Sequence, residues 1–340
     1  MSPGIGTGAT IFGCAGPALL PEERAFFREA DPFGFILFAR NVETPDQLRR
    51  LTHDLREAVG RDAPILVDQE GGRVQRLRAP HWREWEPPFD TVARFARVED
   101  AARAMHLRAR IIAAELRAVG IDANCAPVAD VARETTHPFL RNRCYGSDPA
   151  TVTAIARAVA DGLMAGGVLP VVKHMPGHGL SGMDTHHDLP TVPESRETLA
   201  ATDFAPFRAL ADLPMAMTAH IVFSAIDDRP ATQSPEMIRL IRLEIGFRGL
   251  LMTDDLNMEA LKGSLAQRTE ASMVAGCDIA LHCKGDLAQM QEVAAAAGRL
   301  SPGAGFRARA ALAARRAAPE VDIAALEADL AAVTRGSLHV

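Results

Sequence analysis

The stretch Leu169-Pro-Val-Val-Lys-His-Met-Pro-Gly-His178 decides the fold. Its first four residues form an apolar run without polar alternation, the pattern of a strand buried on both faces. The run then stops at ionisable side chains. The same pattern recurs in both directions along the chain. Short β-rich apolar runs fall at 9–13, 34–38, 64–67, 124–128, 169–172, 215–219, 249–253 and 279–282. Each is followed by a segment long enough for a helix. In 100–120, for example, Met105, Ile112, Leu116 and Val119 share one helical face and Gly120 supplies a stop. Eight strand-helix units in about 300 residues predict an α/β chain closed as a (β/α)8, TIM-like barrel. An open doubly wound sheet fits less well, since no GxGxxG opens the first turn. Residues 306–335 are Ala-rich with charges at helical spacing, predicting helices packed outside the barrel. No linker or repeat marks a second domain. The expected organisation is a catalytic barrel over 1–302 and a helical extension of the same domain over 303–340.

Composition narrows the function. With 340 residues, 48% hydrophobic and 24% charged, the chain reads as an ordinary soluble protein able to build a large core. A net charge of −6, no basic run and few aromatics argue against nucleic-acid binding. Residues 4–20 are small and apolar, but the first twenty residues hold no Lys or Arg, so a buried first strand is a better reading than a signal peptide. No run approaches the roughly 20 apolar residues of a membrane span. Cys14, Cys125, Cys144, Cys277 and Cys283 form no CxxC pair and read as small core residues in a reducing compartment, which makes the cytoplasm the default location.

Polar clusters stand at the ends of predicted strands: Asp68-Gln-Glu-Gly-Gly-Arg-Val-Gln-Arg76, Asp130, Lys173-His174, His220 and Asp254-Asp255. A closed barrel brings such ends to one mouth, where barrel enzymes keep their sites. Taken singly, each cluster has a plainer reading. A strand-end Asp is commonly an N-cap, and one of Asp254 and Asp255 is expected to cap a helix starting near Leu256. Gly71-Gly72 fits a simple turn, and Arg73 or Arg76 a solvated face. Convergence of five clusters favours an active site. Lys173 is one of only three lysines, with Lys262 and Lys284, so position 173 selects an ammonium over a guanidinium, as a single hydroxyl or carboxylate partner would require.

His174, His178, His186 and His187 also invite a zinc reading, which would make the protein a metal-dependent barrel hydrolase. Pro176 and Gly177 interrupt a helical HxxxH, and 9–13 holds no histidine, so no metal or other cofactor is expected. The competing reading pairs Asp184 with His186. A carboxylate accepting from one ring nitrogen fixes the tautomer and leaves the other nitrogen to exchange a proton near neutrality.

Together these motifs resemble the bacterial β-N-acetylglucosaminidases (β-hexosaminidases) of glycoside hydrolase family 3. The matching residues are Val67-Asp-Gln-Glu-Gly-Gly-Arg-Val-Gln-Arg76, Arg143-Cys-Tyr-Gly-Ser-Asp-Pro149, Lys173-His-Met-Pro-Gly-His-Gly179, Asp184-Thr-His186 and Thr253-Asp-Asp-Leu-Asn-Met258. They occur in family order over roughly residues 5–290. The resemblance implies a (β/α)8 fold, Asp254 as nucleophile and His186 as general acid/base oriented by Asp184. It implies sugar binding by Asp68, Arg76, Arg143, Lys173 and His174, and two-step retention through a covalent glycosyl intermediate. A histidine base repels an anionic acceptor less than a carboxylate would, so phosphorolysis is the alternative outcome of the same chemistry. A catalytically dead sugar-binding barrel is disfavoured by the presence of Asp254, His186 and Asp184. Met175, Cys144-Tyr145 and Thr253 depart from the usual family residues and are expected to alter the pocket wall. The single-domain length resembles the cytoplasmic cell-wall-recycling type, acting as a monomer or weak dimer on GlcNAc-1,6-anhydroMurNAc and its peptides.

Overall fold

A computed structural model describes residues 4–181, 189–317 and 319–337. Eight parallel strands form the barrel: β1 Gly8–Phe12, β2 Pro32–Leu37, β3 Ile65–Val67, β4 Ala123–Asn124, β5 Leu169–Met175, β6 Met215–Thr218, β7 Leu250–Met252 and β8 Ala280–His282. From β1 to β7 each strand pairs with the next in sequence, and β1 pairs with β8. A parallel bridge between Met252 and Ile279 joins β7 to β8 and closes the ring.

The missing polar alternation now has its cause. Ile11, Ile36, Leu66, Val171, Met215, Met217, Leu250 and Met252 point into the barrel. Their neighbours Phe12, Leu37, Val67, Val172, Ala216 and Leu251 point out under the helices. Both faces are therefore apolar. The surrounding helices include α1 Pro21–Ala30, α2 Pro45–Val59, α3 Val98–Arg117, α4 Pro149–Ala165, α5 Pro235–Leu243, α6 Leu265–Ala275 and α7 Leu287–Ala297. In α3 the anticipated stripe of Met105, Ile112 and Leu116 is buried, with Val119 just beyond it, and Gly120 adopts φ +80° where the chain leaves the helix.

Two strands differ from the sequence reading. The β4 ladder is interrupted after Asn124, where the Ala126 N–H turns back onto the Asn124 carbonyl at 2.7 Å and Pro127 has no N–H; pairing with β5 resumes at a parallel bridge between Val128 and Lys173. In contrast, β5 runs on past the apolar run that ends at Val172, through Lys173 and His174 to Met175, and both polar residues are buried.

Two C-terminal helices follow, α8 Pro302–Ala313 and α9 Ile323–Ser337. Ala308 and Ala311 of α8 join the apolar cluster of the barrel interior. Arg307 bonds Asp278 just before β8, and Arg315 bonds Asp122 just before β4. Both anchors precede strands, so α8 lies across the N-terminal end of the barrel, opposite the mouth. Leu326 and Val333 of α9 pack into the outer helical layer.

Candidate active site

Asp68, Arg76, Arg143, Lys173, His174 and Asp254 line one cavity at the C-terminal ends of the strands. Asp184 and His186 lie outside the described residues.

Asp68 directly follows β3, and a small hairpin, Gln69–Gly71 against Val74–Gln75, returns the chain so that Arg76 meets it. The turn needs glycine: Gly71 has φ +106°, and a Cβ there would lie 1.7 Å from the Arg108 guanidinium. That buried guanidinium, from α3, donates to the carbonyls of Glu70 and Glu86, both at 2.8 Å. Gln69 Oε1 accepts from the Arg76 and Leu77 N–H groups at 2.9 and 3.1 Å, fixing the hairpin from the inside.

Lys173 continues the inward series of β5, and its Nζ lies 2.8 Å from Asp68 Oδ1 and 2.6 Å from Glu70 Oε1. Asp68 Oδ2 accepts from Arg76 Nη2 at 2.9 Å. Arg143 holds Glu70 through two parallel bonds, 2.9 Å from Nε and 2.8 Å from Nη2. Burial opposes ionisation of Asp68 and Glu70. The charges of Lys173 and Arg76 beside the first, and Arg143 and Lys173 beside the second, outweigh it and hold both below the usual carboxylate range. Burial likewise opposes the Lys173 charge, but Asp68 and Glu70 raise its pKa above the ordinary lysine value.

His174 is set by Asp130, a strand-end residue to which the sequence reading gave no role. Asp130 Oδ2 lies 2.7 Å from His174 Nδ1, and Oδ1 accepts the backbone N–H groups of His174 and His178 at 3.2 and 2.8 Å. Arg143 Nη2 points at His174 Nε2 from 3.4 Å. A guanidinium only donates, so this geometry fits the Nδ1–H tautomer. His178 also lines the cavity; burial, with the neighbouring His174 imidazole, pushes its pKa down to about 4, so it is neutral at pH 7.

Asp254 follows β7, and one oxygen accepts the Asp255 N–H at 2.8 Å. Burial works against its charge, but the His174 and His220 imidazoles and that N–H keep it below the usual range, hence an ionised carboxylate. The expected helix near Leu256 is absent: α6 starts at Leu265 under a Ser264 cap. Asp255 instead spends its Oδ1 on the N–H groups of Asn257 and Cys283, both at 3.2 Å. Burial pushes its pKa up to about 6.

Glu70 stood inside a quoted motif without a role. Its partner Arg143 is 73 residues away, so no local spacing could have revealed the pair. The substituted family positions are also placed differently from expectation. Met175, Cys144, Tyr145 and Thr253 are buried behind the wall, which is formed by residues such as Phe38, Phe139, Met217, Met258 and Cys283.

An ionised carboxylate at a barrel mouth, among cations and imidazoles that bond hydroxyl groups, marks a barrel enzyme for polar, hydroxyl-rich substrates. The glycosyl hydrolase family 3 N-terminal domain matches residues 22–311, and the chain belongs to this glycoside hydrolase family. The β-hexosaminidase of Alkalilimnicola ehrlichii is 40% identical over 282 residues, covering 81% of this chain and 80% of the relative. That of Bordetella pertussis is 35% identical over 294 residues, 84% and 83% of the two chains. Among solved structures, NagZ from Neisseria gonorrhoeae in complex with N-trifluoroacetyl-D-glucosamine superposes with TM-score 0.84 at 29% identity, covering 98% of each chain. A family 3 β-N-acetylglucosaminidase from Paenibacillus gives 0.84 at 28% identity, over 96% of this chain and 67% of that one.

Proposed function

We propose that the protein is a retaining exo-β-N-acetylglucosaminidase that removes a terminal, non-reducing β-linked GlcNAc. The observation that carries this reading is the half-buried, ionised Asp254 in the cavity that also holds Lys173, Asp68, Arg76, Arg143 and His174. The β-hexosaminidase relatives and the amino-sugar analogue bound by NagZ support the choice of sugar.

In this mechanism Asp254 attacks the anomeric carbon and a glycosyl ester forms as the glycosidic bond breaks. The leaving oxygen takes its proton from His186, oriented by Asp184; these roles rest on the Asp184-Thr-His186 motif. Water then gives a proton back to His186, attacks the anomeric carbon and releases Asp254. Asp68, Arg76, Arg143, Lys173 and His174 bond the hydroxyls and acetamido group. The natural substrate on this reading is GlcNAc-1,6-anhydroMurNAc and its peptides, met in the cytoplasm during peptidoglycan recycling. Among the described residues no helix is long and apolar enough to cross a membrane.

The test is 4-nitrophenol release from its β-N-acetylglucosaminide, with and without phosphate. Asp254→Ala is expected to lower turnover about 10⁴-fold or more. Retained activity within tenfold of the parent would sink the mechanism, and a phosphorylated sugar product would replace hydrolysis with phosphorolysis.

A further inference from the structure

His220 stands at the end of β6 with 1% of its surface exposed. The reaction outlined above gives it no task, yet both ring nitrogens are engaged. Nε2 lies 3.1 Å from the Asp255 carbonyl oxygen, and Nδ1 lies 2.8 Å from Thr232 Oγ1. Thr232 belongs to the short turn Ala231–Gln233 and also lies 2.8 Å from Thr218 Oγ1 and 3.0 Å from the Ala219 carbonyl.

Proton accounting fixes the direction of this chain. The Asp255 carbonyl can only accept, so Nε2 carries the hydrogen. Burial disfavours the charged ring and moves the His220 pKa down, so Nδ1 holds a lone pair. The one Thr232 hydrogen has two acceptors, the Ala219 carbonyl at 3.0 Å and this Nδ1 lone pair at 2.8 Å; on the shorter contact it goes to Nδ1, and Thr232 accepts from Thr218. The continuous order is Thr218 to Thr232 to His220 to the Asp255 carbonyl. The peptide N–H of the same residue, Asp255, donates to Asp254 Oδ1 at 2.8 Å. From the opposite side, β8 secures Asp255 through the Cys283 N–H to Asp255 Oδ1.

We propose that His220 is a positioning residue: as the Nε2–H tautomer imposed by Thr232, it clamps the backbone at Asp255 and thereby aims the Asp254 carboxylate at the anomeric carbon. This rests on Asp254 being the nucleophile. A leucine would fill the same space at less polar cost, so a buried polar chain ending on the nucleophile's neighbour is explained by aim rather than by packing.

The experiment compares His220→Leu, His220→Gln, Thr232→Val and Asp254→Ala in 4-nitrophenyl β-N-acetylglucosaminide hydrolysis, with inhibition by free GlcNAc as the binding readout. Misaiming a nucleophile by about 1 Å costs roughly a hundredfold. His220→Leu is therefore expected to lose about a hundredfold in kcat/KM while the GlcNAc inhibition constant stays within about threefold. His220→Gln, whose amide still donates, is expected to recover most of that loss, and Thr232→Val to lose about tenfold. A folded His220→Leu within threefold of the parent overturns the proposal, as do equal losses in the Gln and Leu variants. Should His220→Leu not fold, Thr232→Val at full kcat/KM overturns it. Inactive Asp254→Ala beside active His220→Leu rejects the positioning role alone. Active Asp254→Ala rejects the nucleophile and the proposal with it.

Discussion

Lys173 is 2% exposed with a carboxylate on either side, Asp68 and Glu70, which is why the position takes a compact ammonium. Including Arg76 and Arg143, three cations face two carboxylates in one cluster that is buried at Lys173, Glu70 and Arg143 and half-buried at Asp68 and Arg76. Removing one partner of such a cluster strands charge at a cost of about 3–5 kcal/mol. Glu70→Gln keeps the shape and removes the charge, so urea unfolding is expected to show a loss of about 3 kcal/mol with a lower kcat/KM; a loss below about 1 kcal/mol would count against the cluster's role. His178 and Asp255 make a second, opposed pair. Between pH 6.5 and about 4 the unfolded chain protonates a histidine that the fold keeps neutral, so His178 costs stability as pH falls. Between about 6 and 3.8 the folded Asp255 takes its proton first, so it adds stability as pH falls. Asp255→Asn is expected to steepen the decline in stability from pH 6 to 4 by up to about 1.4 kcal/mol per pH unit, and His178→Asn to flatten it. Unfolding measured at pH 4, 5 and 6 checks this; parallel curves for all three proteins would reject it.

At the scale of elements, α8 and the eight strands carry the architecture. We propose that 303–340 extends the same domain as the 1–302 barrel, because Ala308 and Ala311 complete the apolar interior and Arg307 and Arg315 bind carboxylates that precede strands. Ala308→Phe is expected to cost about 1–3 kcal/mol by overpacking. Its KM should match the parent's, since α8 lies at the end opposite the site; a thermal midpoint unchanged beside a raised KM would contradict this placement. The strands were legible because a barrel strand is apolar on both faces, and the site was legible because five polar clusters interrupt those runs. What was hidden depends on distance or on committed side chains. Glu70 acquires its meaning only when Arg143 arrives from beyond β4. His220 acquires its own only when the Ala231–Gln233 turn brings Thr232 against it. The helix expected at Leu256 failed because Asp255 is bonded to Cys283 across the barrel mouth as well as to the local turn. The apolar run of β5 ends at Val172 in the sequence, and Lys173 and His174 extend the strand only because their polar side chains find partners inside the barrel mouth.

The whole molecule encloses five free thiols, Cys14, Cys125, Cys144, Cys277 and Cys283, and their burial links its stability to alkaline pH. Burial pushes Cys14 up to about 12 and raises the other four above the ordinary thiol range. In the unfolded chain each titrates near 8.5. Above that pH the unfolded chain releases protons that the fold retains, so stability falls as pH rises, by up to about 1.4 kcal/mol per pH unit for each thiol. Tyr145, raised by burial, and Lys173, raised by Asp68 and Glu70 against its burial, act in the same direction above about pH 10. Against a total stability of about 5–15 kcal/mol, five thiols acting together are enough to unfold the barrel within about two pH units. Thermal midpoints are therefore expected to hold to about pH 8.5 and then fall steeply. Cys125→Ala, inside the barrel, should lower the slope of unfolding free energy between pH 9 and 10 by about one proton's worth, 1.4 kcal/mol per unit. A parent protein whose stability is level from pH 8 to 10 would show that the thiols are reached by solvent without unfolding.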